Sequence, residues 1–193
     1  MYPIFRFLRG MSAARRAPRI GPFDAHVSTH RCWPWDLDPW MELNNGRTLT
    51  LYDLGRVPMV LRMGLFDTFR EKNWGFTVAG NSVRYRRRIR AMQRFTQVSR
   101  MMGWDHRFLY MEQSIWSGGE CCNHILLRVA IVGGKGRSGI VPPAELVAAL
   151  GITEPSPPLP EWVQTWTRSE SQRPWPPVLP AIPVGERTGD LPA

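Results

Sequence analysis

Residues 45–65 carry apolar side chains on two sides of a helical wheel, and a helix of that kind has to be enclosed. Leu49, Tyr52, Met59, Val60 and Met63 mark one stripe; Leu51, Leu54, Leu61 and Leu65 mark another. A helix lying on a protein surface needs only one such stripe, so two predict burial on more than one side. Asn44 and Asn45 stand at the start of the pattern. An Asn side chain there accepts one free N–H of the first turn, and the remaining free N–H groups form an electropositive spot. Pro58 falls inside the pattern and predicts a kink or a break near Arg56-Val57. The methionines read as core filling. Asp53 and Arg56 stand three residues apart and predict a pair on one face.

Just ahead of this helix lies Trp35-Asp36-Leu37-Asp38-Pro39-Trp40-Met41-Glu42-Leu43, two carboxylates in a Pro- and Trp-rich loop. A carboxylate held beside a helix amino end fits acyl transfer: Asp38 attacks or activates water, and the helix end receives the oxyanion. Asp36 reads as a loop-shaping residue that bonds backbone N–H groups. Asp-x-Asp-Pro segments also occur simply as turns.

The rest of the middle of the chain reads as strands. Phe23 to Trp35 is the first and Trp74 to Arg90 the second; Arg94 to Met102, Phe108 to Trp116 and Asn123 to Val132 follow, joined by Gly103-Trp104-Asp105-His106 and Ser117-Gly118-Gly119-Glu120. Short strands joined by hairpin turns predict an antiparallel meander, so the class is α+β with five or six strands and one long central helix. On the second strand, Val83, Tyr85, Arg87 and Ile89 would share one face, and Arg84, Arg86, Arg88 and Arg90 the other. An arginine face of that kind is solvated or meets anions such as phosphate. His26, His30 and Cys32 would share a strand face, but at ~3.3 Å per residue the two histidines stand about 13 Å apart, too far to share a metal ion.

The loop and helix start resemble hotdog-fold acyl-CoA thioesterases, in the 4-hydroxybenzoyl-CoA thioesterase-like branch that reads Asp-x-Asp and then His-x-Asn-Asn-x-Arg-Tyr. Here the pattern is Asp36-Leu37-Asp38, then Glu42-Leu43-Asn44-Asn45-Gly46-Arg47-Thr48. The similarity runs on through Gly103-Trp104-Asp105 and Gly118-Gly119-Glu120 over roughly residues 23–150. Glu42 stands where the branch has His, and Thr48 where it has Tyr. The resemblance implies a hotdog fold, a curved sheet wrapped around the central helix. It implies thioester hydrolysis without a cofactor or metal, by Asp38 as base or nucleophile, with the Asn45 N–H, helped by Gly46, polarising the carbonyl. Glu42 either takes over the family's His as a base or only complements the helix end. Asn44, Arg47, Arg86 and Arg88 are the expected substrate-binding residues for an acyl-CoA. Hotdog relatives pair their sheets edge to edge, so a homodimer or a dimer of dimers is expected, with the site at the interface.

Charge enters where partners are concerned. The formal net charge of +9 fits a phosphate-bearing ligand, an anionic membrane or nucleic acid. Nucleic acid is disfavoured, because the arginine strand lacks stacking aromatics and there is no recognition helix. Residues 1–22 form a basic arm, with Tyr2, Ile4, Phe5, Phe7 and Leu8 interleaved with arginines and no acid before Asp24. Arg6 and Arg9 interrupt what would be the apolar stretch of a signal peptide. The arm reads either as a peripheral membrane contact through residues 1–20 or as an extension packed on its own domain or a partner subunit. Three cysteines in no disulfide framework point to a reducing compartment, hence a cytoplasmic protein, peripheral to the inner membrane face if the arm binds lipid.

Residues 23–152 form the expected hotdog domain. Gly133 to Gly139 reads as a flexible turn without the Gly-Lys-Ser/Thr ending of a phosphate loop, and Ala144 to Leu150 as a short helix stopped by Gly151. Residues 153–193 form a Pro- and Trp-rich extension, since ten of the eighteen prolines lie in residues 151–193. A short helix, Glu161 to Glu170, is expected there, with fraying beyond Pro180. The alternative to hydrolysis is a non-catalytic acyl or coenzyme A binding protein at a membrane surface.

Overall fold

The structure is a computed structural model that describes residues 2–133 and 139–177. The chain divides between Pro158 and Leu159 into two compact units. The first unit contains α1 (Ile4–Arg16), β1 (His26–Arg31), α2 (Asn45–Arg62), α3 (Leu65–Lys72), β2 (Trp74–Tyr85), β3 (Arg94–Trp104), β4 (Leu109–Ser117), β5 (Glu120–Gly133), β6 (Ile140–Val141) and α4 (Pro143–Ala149). The second contains α5 (Glu161–Gln172), the helix expected around Trp162 and Trp166. The expected turn at Gly133 to Gly139 lies mostly outside the described residues, and so does the tail beyond Pro177.

Six strands make one antiparallel, unclosed sheet in the order β1-β3-β4-β5-β2, with β6 added to β5. This is the hotdog arrangement. The strands form because their buried residues alternate. Gln97 pairs with Ile115, Ser99 with Gln113 and Met101 with Met111 across β3 and β4; Met111 pairs with Leu127 and Gln113 with Ile125 across β4 and β5. These residues are buried and share one face.

The two stripes of the long helix have two partners. Gly55 faces β3 so closely that a Cβ there would meet the Gln97 amide at 2.6 Å and Ser99 Oγ at 2.7 Å. On another side, Gly10 of α1 lies against the Pro58 ring, and a Cβ on Gly10 would stand 3.7 Å from the Leu54 carbonyl oxygen. Pro58 has no N–H for that carbonyl, yet α2 runs on through it to Arg62 instead of breaking near Arg56-Val57. The side that a proline opens is covered by the first helix.

Two further expectations are corrected. The helical run does not stop at Leu65; Gly64, at φ 80°, turns the chain into α3. The second strand ends at Tyr85, because the N–H groups of Arg86 and Arg87 both donate to the Cys122 carbonyl, at 2.8 and 3.0 Å. Arg86, Arg88 and Arg90 therefore do not share a regular strand face with Arg84.

Candidate functional site

The chain enters the site from β1. Trp33, Pro34 and Trp35 turn in a single 3-10 turn that ends at Asp36, and the rings of Trp33 and Trp35 stack at 5.3 Å. Asp36 is fully buried. Its Oδ2 accepts from Arg6 Nη1 at 2.7 Å and from the Trp33 N–H at 3.0 Å, and its Oδ1 accepts from Arg47 Nε at 2.7 Å. Burial acts to raise its pKa, but the bonds from Trp33, Arg47 and Arg6 outweigh it and hold the carboxyl below the usual range. Asp36 thus shapes the loop, and it does so with two arginines as well as the backbone N–H expected of it.

Two residues on, Asp38 closes a tighter turn. Its Oδ1 accepts from the Trp40 N–H at 2.9 Å and the Glu42 N–H at 3.3 Å, and its own N–H donates to the Glu42 carbonyl. Its Oδ2 has no hydrogen-bond partner among the described residues, and the side chain is half-buried. The loop then returns as Leu43 bridges Leu37. The Asn44 N–H donates to the Asp36 carbonyl at 3.0 Å, and the Asn44 side chain caps the Arg47 N–H at 2.9 Å. The N–H groups of Asn45 and Gly46 have no hydrogen-bond partner among the described residues, as the first turn of a helix dictates.

Two cavities flank this helix end. The larger, about 890 Å³, takes Tyr2 from ahead of α1, Phe5 and Arg6 from α1, Trp33, Trp35 and Leu37 from the loop, and Asn44, Gly46 and Arg47 from the helix start. The smaller, about 210 Å³, is lined by Glu42, Asn45 and Thr48 on one side and by Tyr85, Arg86 and Arg88 on the other. The structure therefore divides the expected site residues. Asn44, Gly46 and Arg47 line the apolar cavity; Glu42, Asn45, Arg86 and Arg88 line the basic one. Asp38 lines neither, and its neighbours in the turn, Leu37 and Glu42, line one each.

Several of these residues already have partners. Arg47 is tied to Asp36. Arg88 Nε stands 2.8 Å from Glu42 Oε2, a charge contact without hydrogen-bond alignment. The Tyr85 hydroxyl donates to the Asn45 carbonyl at 3.2 Å.

Beneath the helix runs a buried polar network that the sequence did not announce. Gln97 and Gln113 both donate to the Tyr52 carbonyl at 2.9 Å, and Arg56 Nη1 donates to Gln113 Oε1 at 3.3 Å. Arg56 pairs with Asp53 as its spacing predicted. Burial raises the Asp53 pKa against the pull of Arg56. The histidines read above as a non-metal pair have ordinary partners: His26 meets Arg62 Nη1 at 3.1 Å and His30 meets Ser28 Oγ at 2.9 Å.

An unclosed antiparallel sheet around a capped helix, fed by a two-carboxylate loop with an apolar cavity beside it, defines a hotdog-fold protein. The sequence profile of the thioesterase-like superfamily matches residues 32–167, and the chain belongs to that family. It is similar to Protein THEM6 of Xenopus laevis, 31% identical over 115 residues that cover 57% of this chain and 55% of that protein. The chain spans about half the length of the curated relatives it matches. Among solved structures it is similar to the probable thioesterase YbaW from Escherichia coli, with a TM-score of 0.60 at 19% identity, covering 65% of this chain and 96% of that one. A 1,4-dihydroxy-2-naphthoyl-CoA thioesterase from Synechocystis aligns with a TM-score of 0.54 at 7% identity over 68% of this chain and all of that one (100%). At these identities the two structures bear on the fold alone.

Proposed function

We propose that the protein is an acyl-CoA thioesterase in which Asp38 acts as general base or nucleophile and the amino end of α2 holds the thioester carbonyl. The observation that carries this reading is two unsatisfied elements on one loop and helix start: among the described residues, Asp38 keeps one carboxylate oxygen without a partner, and Asn45 and Gly46 keep their N–H groups free at the helix tip. As base, Asp38 takes a proton from water, the oxygen forms a bond to the carbonyl carbon, and the negative charge that builds on the carbonyl oxygen meets the helix N–H groups. The C–S bond then breaks and the coenzyme A thiolate takes up the proton.

In this reading the acyl group occupies the aromatic cavity and the coenzyme A phosphates lie toward Arg86 and Arg88. The division of the expected residues between an apolar and a basic cavity supports that polarity. A homodimer paired through β2 belongs to the same proposal. β2 has twelve residues, pairs on one side only, with β5, and carries no proline to block its open edge. Among the described residues no helix is long and apolar enough to cross a membrane; a cytoplasmic location remains part of the proposal.

A second reading is favoured by Glu42, which replaces the family's His and already faces Arg88. In it the protein binds acyl-CoA without turnover. Purified protein assayed against acyl-CoA esters of graded chain length separates the two. Turnover that disappears in Asp38→Ala supports hydrolysis; tight binding without release of free thiol supports the second reading.

A further inference from the structure

The first helix has one face that the domain covers and one that it leaves open. Phe7, Gly10 and Ala14 turn toward the protein, and Ala14 is buried. At 100° per residue the opposite side carries Ile4, Phe5 and Leu8 in the first two turns, then Arg9, Arg15 and Arg16, and all six are exposed. The apolar end of this face adjoins the larger cavity. Phe5 is 90% exposed and Trp35 is 68% exposed, yet both line that cavity, so they form its rim.

We propose that this face of α1, together with Trp35, docks on an anionic lipid bilayer and holds the rim of the aromatic cavity against the lipid. The apolar side chains enter the boundary between headgroups and acyl chains, while Arg9, Arg15 and Arg16 meet lipid phosphates. An aromatic ring that is both wet and at a cavity edge is suited to that boundary, where one side is apolar and the other polar. Charge selects the bilayer over a second copy of the chain. A two-fold interface through this face would set its arginines against either the same arginines or the apolar end of the second copy, and residues 1–23 contain no acid to pair with them. A bilayer rich in phosphatidylglycerol supplies the opposite charge over the whole face.

The inference does not require turnover, so its test is independent of the hydrolase reading. Full-length protein is sedimented with vesicles of phosphatidylcholine alone and with vesicles containing a third phosphatidylglycerol, at low and high salt. Binding is expected to the anionic vesicles, weakened by salt. It should fall at least tenfold in the double variant Ile4→Glu/Leu8→Glu and in the triple variant Arg9→Glu/Arg15→Glu/Arg16→Glu. None of these five residues lines either cavity, so acyl-CoA turnover in solution should match the parent if the protein is a hydrolase. Lipids brominated near the headgroup should quench tryptophan fluorescence, and Trp35→Phe should remove part of that quenching. Equal affinity for the two kinds of vesicle, or variants that bind as the parent does, overturns the proposal. So does a solution dimer in the parent that becomes a monomer in Ile4→Glu/Leu8→Glu, since that would make the face an interface between copies.

Discussion

Arg6, in the first helix, donates to Asp36, thirty residues further on, at 2.7 Å. Arg47 reaches the other oxygen of the same carboxylate from the start of α2 at an equal 2.7 Å. One buried side chain therefore joins the amino-terminal helix, the loop before the site and the helix that carries the free N–H groups. None of the three can shift without straining the others, so the cavity wall built by α1 is held in register with the helix tip.

Asp36→Asn should leave two arginines facing a neutral amide in a largely buried setting. Breaking one side of a buried ion pair costs about 3 kcal/mol or more. We expect a loss of that order in urea denaturation, with Arg6→Met, which keeps the Asp36–Arg47 bond, costing less.

Asp38→Asn separates chemistry from folding. The Asn side-chain oxygen can accept the same N–H groups of Trp40 and Glu42 that Asp38 Oδ1 accepts now, so stability should stay within about 1 kcal/mol of the parent. The amide is no base, and removal of a general base costs about 10²–10⁴ in rate. Acyl-CoA turnover should fall by that factor while the thermal melt hardly moves.

Gly55→Ala tests the contact between α2 and β3. The new methyl would lie 2.6 Å from the Gln97 amide and 2.7 Å from Ser99 Oγ. Gln97 and Gln113, which hold the Tyr52 carbonyl, would have to give way. Overpacking of this kind costs about 1–3 kcal/mol, despite the better helix propensity of alanine, and equilibrium unfolding should show it.

Stability should fall with acid in a defined window. Burial, then Arg62, lowers the His26 pKa to about 4, and burial, then Arg6 and His26, does the same for His30. Both are neutral when folded and take up protons when unfolded between pH ~4 and ~6.5. The unfolded chain binds more protons there, so stability rises with pH across the window and is lost as pH falls through it. The expected loss is on the order of a few kcal/mol for the pair. Asn or Gln in place of both histidines should flatten the pH dependence of the urea midpoint.

The amino-acid sequence determined what local chemistry can determine. The start of α2 was legible because an Asn cap and a helical period need only neighbours along the chain, and Asn44 does cap Arg47. The β3-β4-β5 meander was legible for the same reason, since hairpin turns and alternation act over a few residues. The family followed from the Asp-x-Asp and Asn-Asn spacing. The tertiary structure decided the rest, because each remaining feature depends on groups far apart in sequence. β2 stops at Tyr85 because the Cys122 carbonyl captures the next two N–H groups. α2 survives Pro58 as α1 covers the side its missing N–H opens. The two carboxylates of one short motif, alike in chemistry, parted company: Asp36 is buried among arginines that the fold delivers, and Asp38 is left with an oxygen to spare. Turn chemistry had given Asp36 the loop-shaping role; that two arginines hold it there was decided only by the three-dimensional arrival of Arg6 and Arg47.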